Sequence, residues 1–377
     1  MIIAFDFETT KFPAALPWIP GSYAVSLSIA RSDGVCKSWL LNHPEATQTL
    51  RECVDEIKEE FNSATRLVAH HEKFDLHWVR ALGIDISDLN LYCTQVAEYT
   101  ITGQQRQDGL SLNDLADKYN LPTKLDRVSQ YWDSGYETDE IPAYILNEYC
   151  ERDCQIALQV YSLQVPQIKA LGLESLITVE MEALRCFEDM EWNGMKLDKE
   201  KLVNYGKGYT ERLADMDEEL QYLLGINNIS SGDQLSCGLY GGTYMIDGKV
   251  PGARPGTLKN GKIPLTTAGV GFKPIAGTET KKKGIYQTNI DTLTRLVCKT
   301  KEQKRIKELL MERSRLDQIN KTYFNGLLER MLEDETVHPT VNQTITTTGR
   351  TSCSNPNLQN QPRGNTGPVK ECFITRF

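Results

Sequence analysis

The strand that opens the chain constrains it more than any other feature. MIIAFDFE is a nearly continuous apolar run of β-branched and aromatic residues, the pattern of a strand buried on both faces, yet it carries Asp6 and Glu8. Side chains two apart on a strand point to the same face, so Phe5 and Phe7 take the other. Two anions leaving a buried strand side by side repel each other and lose hydration. A divalent cation offsets both penalties, and carboxylate oxygens suit a hard ion. A sheet edge open to water is the plainer way to keep them.

Around this strand the pattern alternates. YAVSLSIA, a turn at Arg31–Gly34 and VCKSWLL predict a hairpin continuing the same sheet. A helix over about 46–61, a short strand RLVAH and a helix over about 72–82 follow, which predicts an α/β sheet. Ser111 with Asp114 reads as a capping box for SLNDLADKY, and a helix over about 141–163 closes the unit. Beyond Leu171–Gly172, long amphipathic helices over 174–192 and 199–224, broken at Asn193–Gly194, read as a protruding helical arm. Residues 230–288, rich in Gly, Pro, Thr and Lys, read as an exposed loop-rich tip with short hairpins. Helical pattern returns over 289–333, and 337–377 reads as strand and irregular loop.

A chain of 377 residues with 40% hydrophobic content supports two or three domains with real cores. No apolar run approaches the roughly 18 residues of a membrane span, and the N-terminus lacks the features of a signal peptide. The 10 Cys include no CxxC pair, so reduced thiols in a cytoplasm are expected, with Cys150 and Cys154 as helix-packing residues. A net charge of −9 argues against a nucleic-acid partner until its placement is considered. Residues 1–165 carry about −12, which leaves about +3 for the rest. Within that rest, Lys249, Arg254, Lys259, Lys262, Lys273, Lys281, Lys282 and Lys283 face only Asp247 and Glu279 over residues 241–283, a stretch able to sit on phosphates or to remain a solvated loop.

Two further acids complete the pattern. Tyr149 and Asp153 stand four apart on NEYCERDCQIAL, one helical turn apart on one face, though such a pair is easily met in a chain with 16 Tyr. Asp75, in HHEKFDLHW, opens a helix just after a strand, where an acid is also favoured by the helix dipole. Taken together, Asp-x-Glu on the first strand, an Asp after an aromatic on a helix following an inner strand, and Tyr-x-x-x-Asp on the closing helix resemble the three motifs of the DEDDy 3′-to-5′ exonuclease family. Their order and separations match over residues 1 to about 165.

That resemblance implies a ribonuclease-H-like fold in which Asp6, Glu8, Asp75 and Asp153 hold two Mg²⁺ or Mn²⁺ ions. Phosphodiester hydrolysis needs a hydroxide near neutral pH and a counter-charge for the leaving 3′ oxygen, and two metals about 4 Å apart supply both. It further implies that Asp6 bridges the ions, that Glu8 and Asp153 complete the first site, and that Asp75 holds the second partly through water. Tyr149 would orient the attacking water, Thr9 would contact the terminal nucleotide and Phe74 would pack near it. Polymerase-linked members usually have Asn where this chain has His71; His still donates a hydrogen bond to the strand end, so altered affinity rather than lost activity is expected. His70 and His77 read as structural, since nothing completes a zinc site beside them.

A second resemblance covers about 170–377. The segment Thr346-Thr-Thr-Gly-Arg-Thr-Ser-Cys-Ser-Asn-Pro-Asn-Leu-Gln-Asn-Gln-Pro362 closely resembles the Thr-Gly-Arg and Pro-Asn-Leu-Gln-Asn motif of family A DNA polymerases. VEMEALRCFEDMEWNGMKLD and GIYQTNIDTLTRL look like that family's thumb. The implied organisation is an exonuclease domain over 1–168, a mostly α-helical thumb over 169–336 with a basic tip at 230–288, and the start of a palm over 337–377. Arg350 would read minor-groove acceptors shared by every correct base pair. Asn357, Gln359 and Asn360 fall on duplex-touching positions, though as polar loop residues they also suit turns. Thr351, Cys353 and Gln361 depart from the usual residues, which puts local packing rather than DNA contact in doubt.

The palm aspartates and fingers that follow in the family are not in this sequence, so the chain alone is not expected to polymerise. A truncated product, or half of a split polymerase docking a C-terminal polypeptide, is the expectation, with a bacteriophage-like layout and a host cytoplasm as its location. The expected partners are a single-stranded DNA 3′ end and primer–template duplex, with no membrane. Two other readings stand beside it: a free-standing exoribonuclease of the RNase D type, and a catalytically degenerate duplex-binding subunit of which His71 is an early mark.

Overall fold

A computed structural model describes residues 1–377 apart from 12–14, 106–108, 124–126, 252–257, 365–366 and 377. Arg254 of the basic stretch therefore lies outside the described residues. The apolar opening run forms β1 (Ile2–Thr9), whose Ile3, Ala4 and Phe5 are fully buried. The hairpin follows as β2 (Ala24–Arg31) and β3 (Cys36–Leu40), then α1 (Leu50–Ser63), β4 (Arg66–Ala69), α2 (Glu72–Ala81) and β5 (Leu91–Cys93). They build a five-stranded sheet of order β3-β2-β1-β4-β5. β1 pairs antiparallel with β2 along its length, Asp6 opposite Ser28 and Glu8 opposite Ser26, but parallel with β4 only over Ile2–Ala4. Past Ala4 that edge of β1 is left to other partners. α1 begins four residues later than its periodicity predicts because Thr49 and Glu52 form the capping box that fixes its start.

Short helices α3 (Thr94–Ile101), α4 (Leu112–Lys118) and α5 (Arg127–Asp133) follow, α4 opened by the Ser111–Asp114 box. The long α6 (Ala143–Leu171) packs on β1 and β2 and buries Cys150, Cys154, Ala157 and Val160. It ends at Gly172, whose φ of 67° suits a residue without Cβ. α7 (Glu174–Asn193) buries Ile177, Met181 and Leu184 in the core of the first unit, and it packs on α2. Burial of such side chains stabilises by about 1.5–3 kcal/mol each.

Contacts divide the chain into two units, Met1–Gly194 with His338–Asn360, and Met195–Val337 with Gln361–Phe377. The two helices expected to form one arm are thus split, since the apolar face of α7 is satisfied within the first unit. The second unit runs β6 (Met195–Lys196), α8 (Lys199–Leu224), α9 (Gly232–Tyr240), β7 (Gly242–Pro251), β8 (Leu258–Thr267), α10 (Ile290–Thr294), α11 (Lys301–Ile319), a π-helical turn at Asn320–Asn325, α12 (Gly326–Arg330) and β9 (Thr336–Val337). α8 packs on α11, with Arg305 held by both carboxylate oxygens of Glu219 at 2.8 and 2.7 Å. The expected loop-rich tip contains a ten-residue-per-strand ribbon, β7–β8, in full antiparallel register.

Within the first unit, β10 (Thr340–Asn342) pairs antiparallel with β11 (Ser352–Ser354). No described helix is long and apolar enough to cross a membrane.

Candidate active site

Because β4 stops at Ala69, the chain turns at His71 into α2 beside the unpaired edge of β1. There the carboxylate of Asp75 takes the place of a neighbouring strand: its Oδ1 accepts the Phe7 N–H at 3.2 Å. A side chain from the first turn of α2 is thereby fixed between Asp6 and Glu8 in sequence terms. Glu8 and Asp75 are buried, Asp6 half-buried. Burial drives the Asp75 carboxyl well above its ordinary range, and the charge of Asp6 pushes the same way. The Phe7 N–H opposes that rise, while Glu72 and Glu8 add to it.

α6 supplies the other wall. Cys150 donates its thiol to the Asp6 carbonyl at 3.2 Å and lies 3.7 Å from Asp6 Oδ2. Among the described residues, Asp6, Glu8 and Cys150 form the one group of metal-capable side chains whose ligand atoms lie within 4.8 Å of one another. The sequence reading treated Cys150 as packing alone. It is fully buried, as packing requires, but it also stands at ligand distance from the acid pair. Its place one turn before Asp153 was the available signal. Cys154 donates to the Ser28 carbonyl at 3.2 Å. Its thiol is pushed up to about 12 by burial first, then by Asp6, Asp153 and Asp75. All three acids therefore act on one neighbourhood, with Asp153 buried on α6.

The remaining predicted residues sit around this wall. Tyr149 is half-buried, with Trp132 edge-on at 6.1 Å. Thr9 ends β1 at a register shift after Glu8. His71 is exposed and holds φ of 61°, a left-handed conformation in which Asn and His are enriched, and its ring lies 6.4 Å from that of half-buried Phe74. His70 contacts Thr94 Oγ1 at 2.9 Å.

The acid neighbourhood has donors suited to a hard divalent cation: several carboxylate oxygens, partly buried, with Asp6 and Glu8 both raising the proton affinity of Asp75. Among the described residues only Asp6, Glu8 and Cys150 bring their ligand atoms within 4.8 Å of one another, so of the four acids predicted to share the ions Asp75 and Asp153 stand outside that closest group.

The polar loop residues of the Thr-Gly-Arg segment also lie in the first unit. Arg350 is exposed after Gly349, whose φ is 71°, and the Thr346 hydroxyl donates to the Arg350 carbonyl at 2.6 Å. Asn357 Oδ1 accepts the N–H groups of Gln359 and Asn360 at 3.1 and 3.2 Å, and Gln359 Nε2 donates to Thr351 Oγ1 at 3.0 Å. The turn role foreseen for these residues is therefore present. In the second unit Lys281, Lys282 and Lys283 are exposed, and Lys282 is engaged with Asp233.

Residues 267–376 match the model of DNA polymerase family A. The chain is 28% identical over 370 residues to DNA polymerase I of Chloroflexus aurantiacus, covering 95% of this chain and 35% of that protein. It is 24% identical over 210 residues to a DNA polymerase of Salmonella phage PMBT28, covering 52% of this chain and 32% of that one. The chain spans about a third of the length of these relatives. Its fold is similar, with a TM-score of 0.70 at 19% identity, to the POL domain of Pol1 from M. smegmatis in complex with DNA primer-template and dNTP, covering 99% of this chain and 54% of that one.

Proposed function

Since this chain is a member of DNA polymerase family A, we propose that its first unit is a proofreading 3′-to-5′ exonuclease of ribonuclease-H-like fold. The sheet supports this reading, with three antiparallel strands joined to a parallel pair and α6 laid across β1 and β2. The observation that carries it is Asp75: its carboxylate is bonded to the backbone between Asp6 and Glu8, and both of those acids push it toward the neutral form. Divalent cations relieve repulsion of this kind.

Two Mg²⁺ or Mn²⁺ ions, when bound, supply the hydroxide and the counter-charge for the leaving 3′ oxygen. The chain's own residues do the rest. Asp6, Glu8 and Asp153 would offer oxygens to one ion, and Asp6 with Asp75 to the other. Tyr149 orients the attacking water by its hydroxyl. Thr9, His71 and Phe74 hold the terminal nucleotide of a single-stranded DNA end. Arg350, Asn357, Gln359 and Asn360 contact primer–template duplex, and Lys281, Lys282 and Lys283 sit on its phosphates.

A mismatched DNA primer in Mg²⁺ tests the reading. The wild-type chain is expected to remove the mismatched nucleotide, and Asp6→Ala to fall to background. Equal slow degradation by both would favour the duplex-binding subunit, and preferential trimming of a tailed RNA would favour the exoribonuclease.

A further inference from the structure

α2 carries chemistry on two faces. Lys73 and His77, four residues apart, share one side of the helix, and Asp75, midway between them, lies round the other. On the Lys73–His77 side α7 presents two buried carboxylates, Glu188 and Glu191. His77 Nδ1 lies 3.1 Å from Glu188 Oε1, and its Nε2 lies 2.9 Å from Glu191 Oε2. Lys73 Nζ donates to Glu191 Oε1, and Arg80 pairs with Glu188 Oε2 at 2.9 Å.

Glu191 reaches further than this helix pair. Its Oε1 also accepts the Val341 N–H of β10, while Lys73 donates to the Val341 carbonyl. His338 Nδ1 lies 2.7 Å from the Glu191 backbone oxygen. Trp18 closes the cluster, stacked on His338 at 4.7 Å and edge-on to His77 at 4.8 Å. One carboxylate thus holds both the helix that bears Asp75 and the strand that leads to Arg350.

Apolar side chains would join α2 to α7 at least as firmly, because a buried ion network gives back in desolvation much of what it gains. What fixed hydrogen bonds add is orientation: they set the rotation of a helix about its axis, where an apolar contact tolerates slippage. We propose that Glu191 is a positioning residue for the exonuclease reaction, holding α2 in the rotation that aims Asp75 at the acid pair of β1. The docking of β10 is part of that hold. The inference rests on the exonuclease reading of Asp75.

Two variants test it, each in the full chain. Glu191→Gln keeps the shape and removes the charge; His338→Ala leaves the carboxylate and removes one tie to β10. Mn²⁺ binding is followed by electron paramagnetic resonance without DNA, and kcat and KM are measured on single-stranded DNA. The expected result for Glu191→Gln is a kcat and an affinity for the weaker Mn²⁺ ion each lowered about 10- to 100-fold, as for groups that orient metal ligands. KM should stay within about twofold. His338→Ala should shift the same quantities in the same direction by less. A merely structural role would lower the melting temperature and leave the kcat and Mn²⁺ affinity of the folded protein alone, which would overturn the proposal. Should Glu191→Gln fail to fold, an unchanged kcat in His338→Ala overturns it equally. A wild-type chain that neither binds Mn²⁺ nor cleaves DNA defeats the exonuclease reading itself and takes the proposal with it.

Discussion

The two faces of α2 treat buried carboxylates in opposite ways. On one, Glu188 and Glu191 are met by His77, Lys73 and Arg80. Burial works to raise the Glu191 carboxyl, yet His77 and Lys73 together hold it below its ordinary range. On the other face Asp75 is equally buried, but the charges that act on it come from Asp6, Glu72 and Glu8, and its carboxyl is driven up. The chain had lysine, arginine and histidine at hand within a single helix and placed them all on one side. A carboxylate paired by the protein's own cations is structural; on the proposed reading, the acids gathered around Asp75 would serve a cation from solution.

The contrast is broken most forcefully by removing one member of the paired side. Glu188→Ala removes one of two carboxylate partners from each of His77 and Arg80, which keep Glu191 and Asp189, and should destabilise the first unit by about 1–3 kcal/mol in denaturant unfolding. Asp75→Asn should do the reverse. It keeps an acceptor for the Phe7 N–H while removing a repelled charge, so metal-free stability should rise by on the order of 1 kcal/mol. Exonuclease kcat should fall at least about a hundredfold, as when a preorganised electrostatic group is lost. Loss of stability in both variants would erase the distinction between the two faces.

Glu72 sharpens it through pH. This carboxyl is fully buried at the start of α2 and burial pushes it up to about 8, against the Tyr92 N–H bond and the charges of Arg185 and Arg66. The unfolded chain loses that proton near pH 4.5 and the folded chain near 8, so between these values the folded state binds more protons. Stability therefore falls as pH rises through that window, by at most about 1.4 kcal/mol per pH unit, and is level above it. Glu72→Gln should flatten this part of the pH–stability curve; an unaltered slope would remove Glu72 from the account.

The smallest effect belongs to the second unit. Each phosphate contact contributes about 0.9 to the salt slope of duplex binding. Lys282 is already engaged with Asp233, so replacing Lys281, Lys282 and Lys283 by Ala should lower the slope by about two contacts rather than three. An unchanged slope would make this turn a solvated loop.

Much of the first unit was legible because its signals are local. The apolar run of β1, the alternation of β2 and the capping box at Ser111 each sit within a few residues, and the structure has all three. α9 was missed because Gly232, Ser236 and Gly238 mask its helical period. Gly238 is there for packing, since a Cβ on it would approach Leu224 Cβ to 3.1 Å. The helical pattern expected over 289–333 is present as separate pieces, divided where Thr300 caps a new start and again at the π-helical turn. In the site, Asp6 and Glu8 were legible from strand alternation, but the bond from Asp75 to Phe7 depends on β4 ending early. The thiol of Cys150 and the ties of Glu191 join residues more than a hundred positions apart, a pairing that periodicity does not encode.

The most direct measurement is the number of Mn²⁺ ions bound by the wild-type chain and by Asp75→Asn, read by electron paramagnetic resonance titration without DNA. Two ions in the wild type and one in the variant are predicted. Equal binding in both, or none in either, would contradict a cation site built on Asp6, Glu8, Asp75 and Asp153.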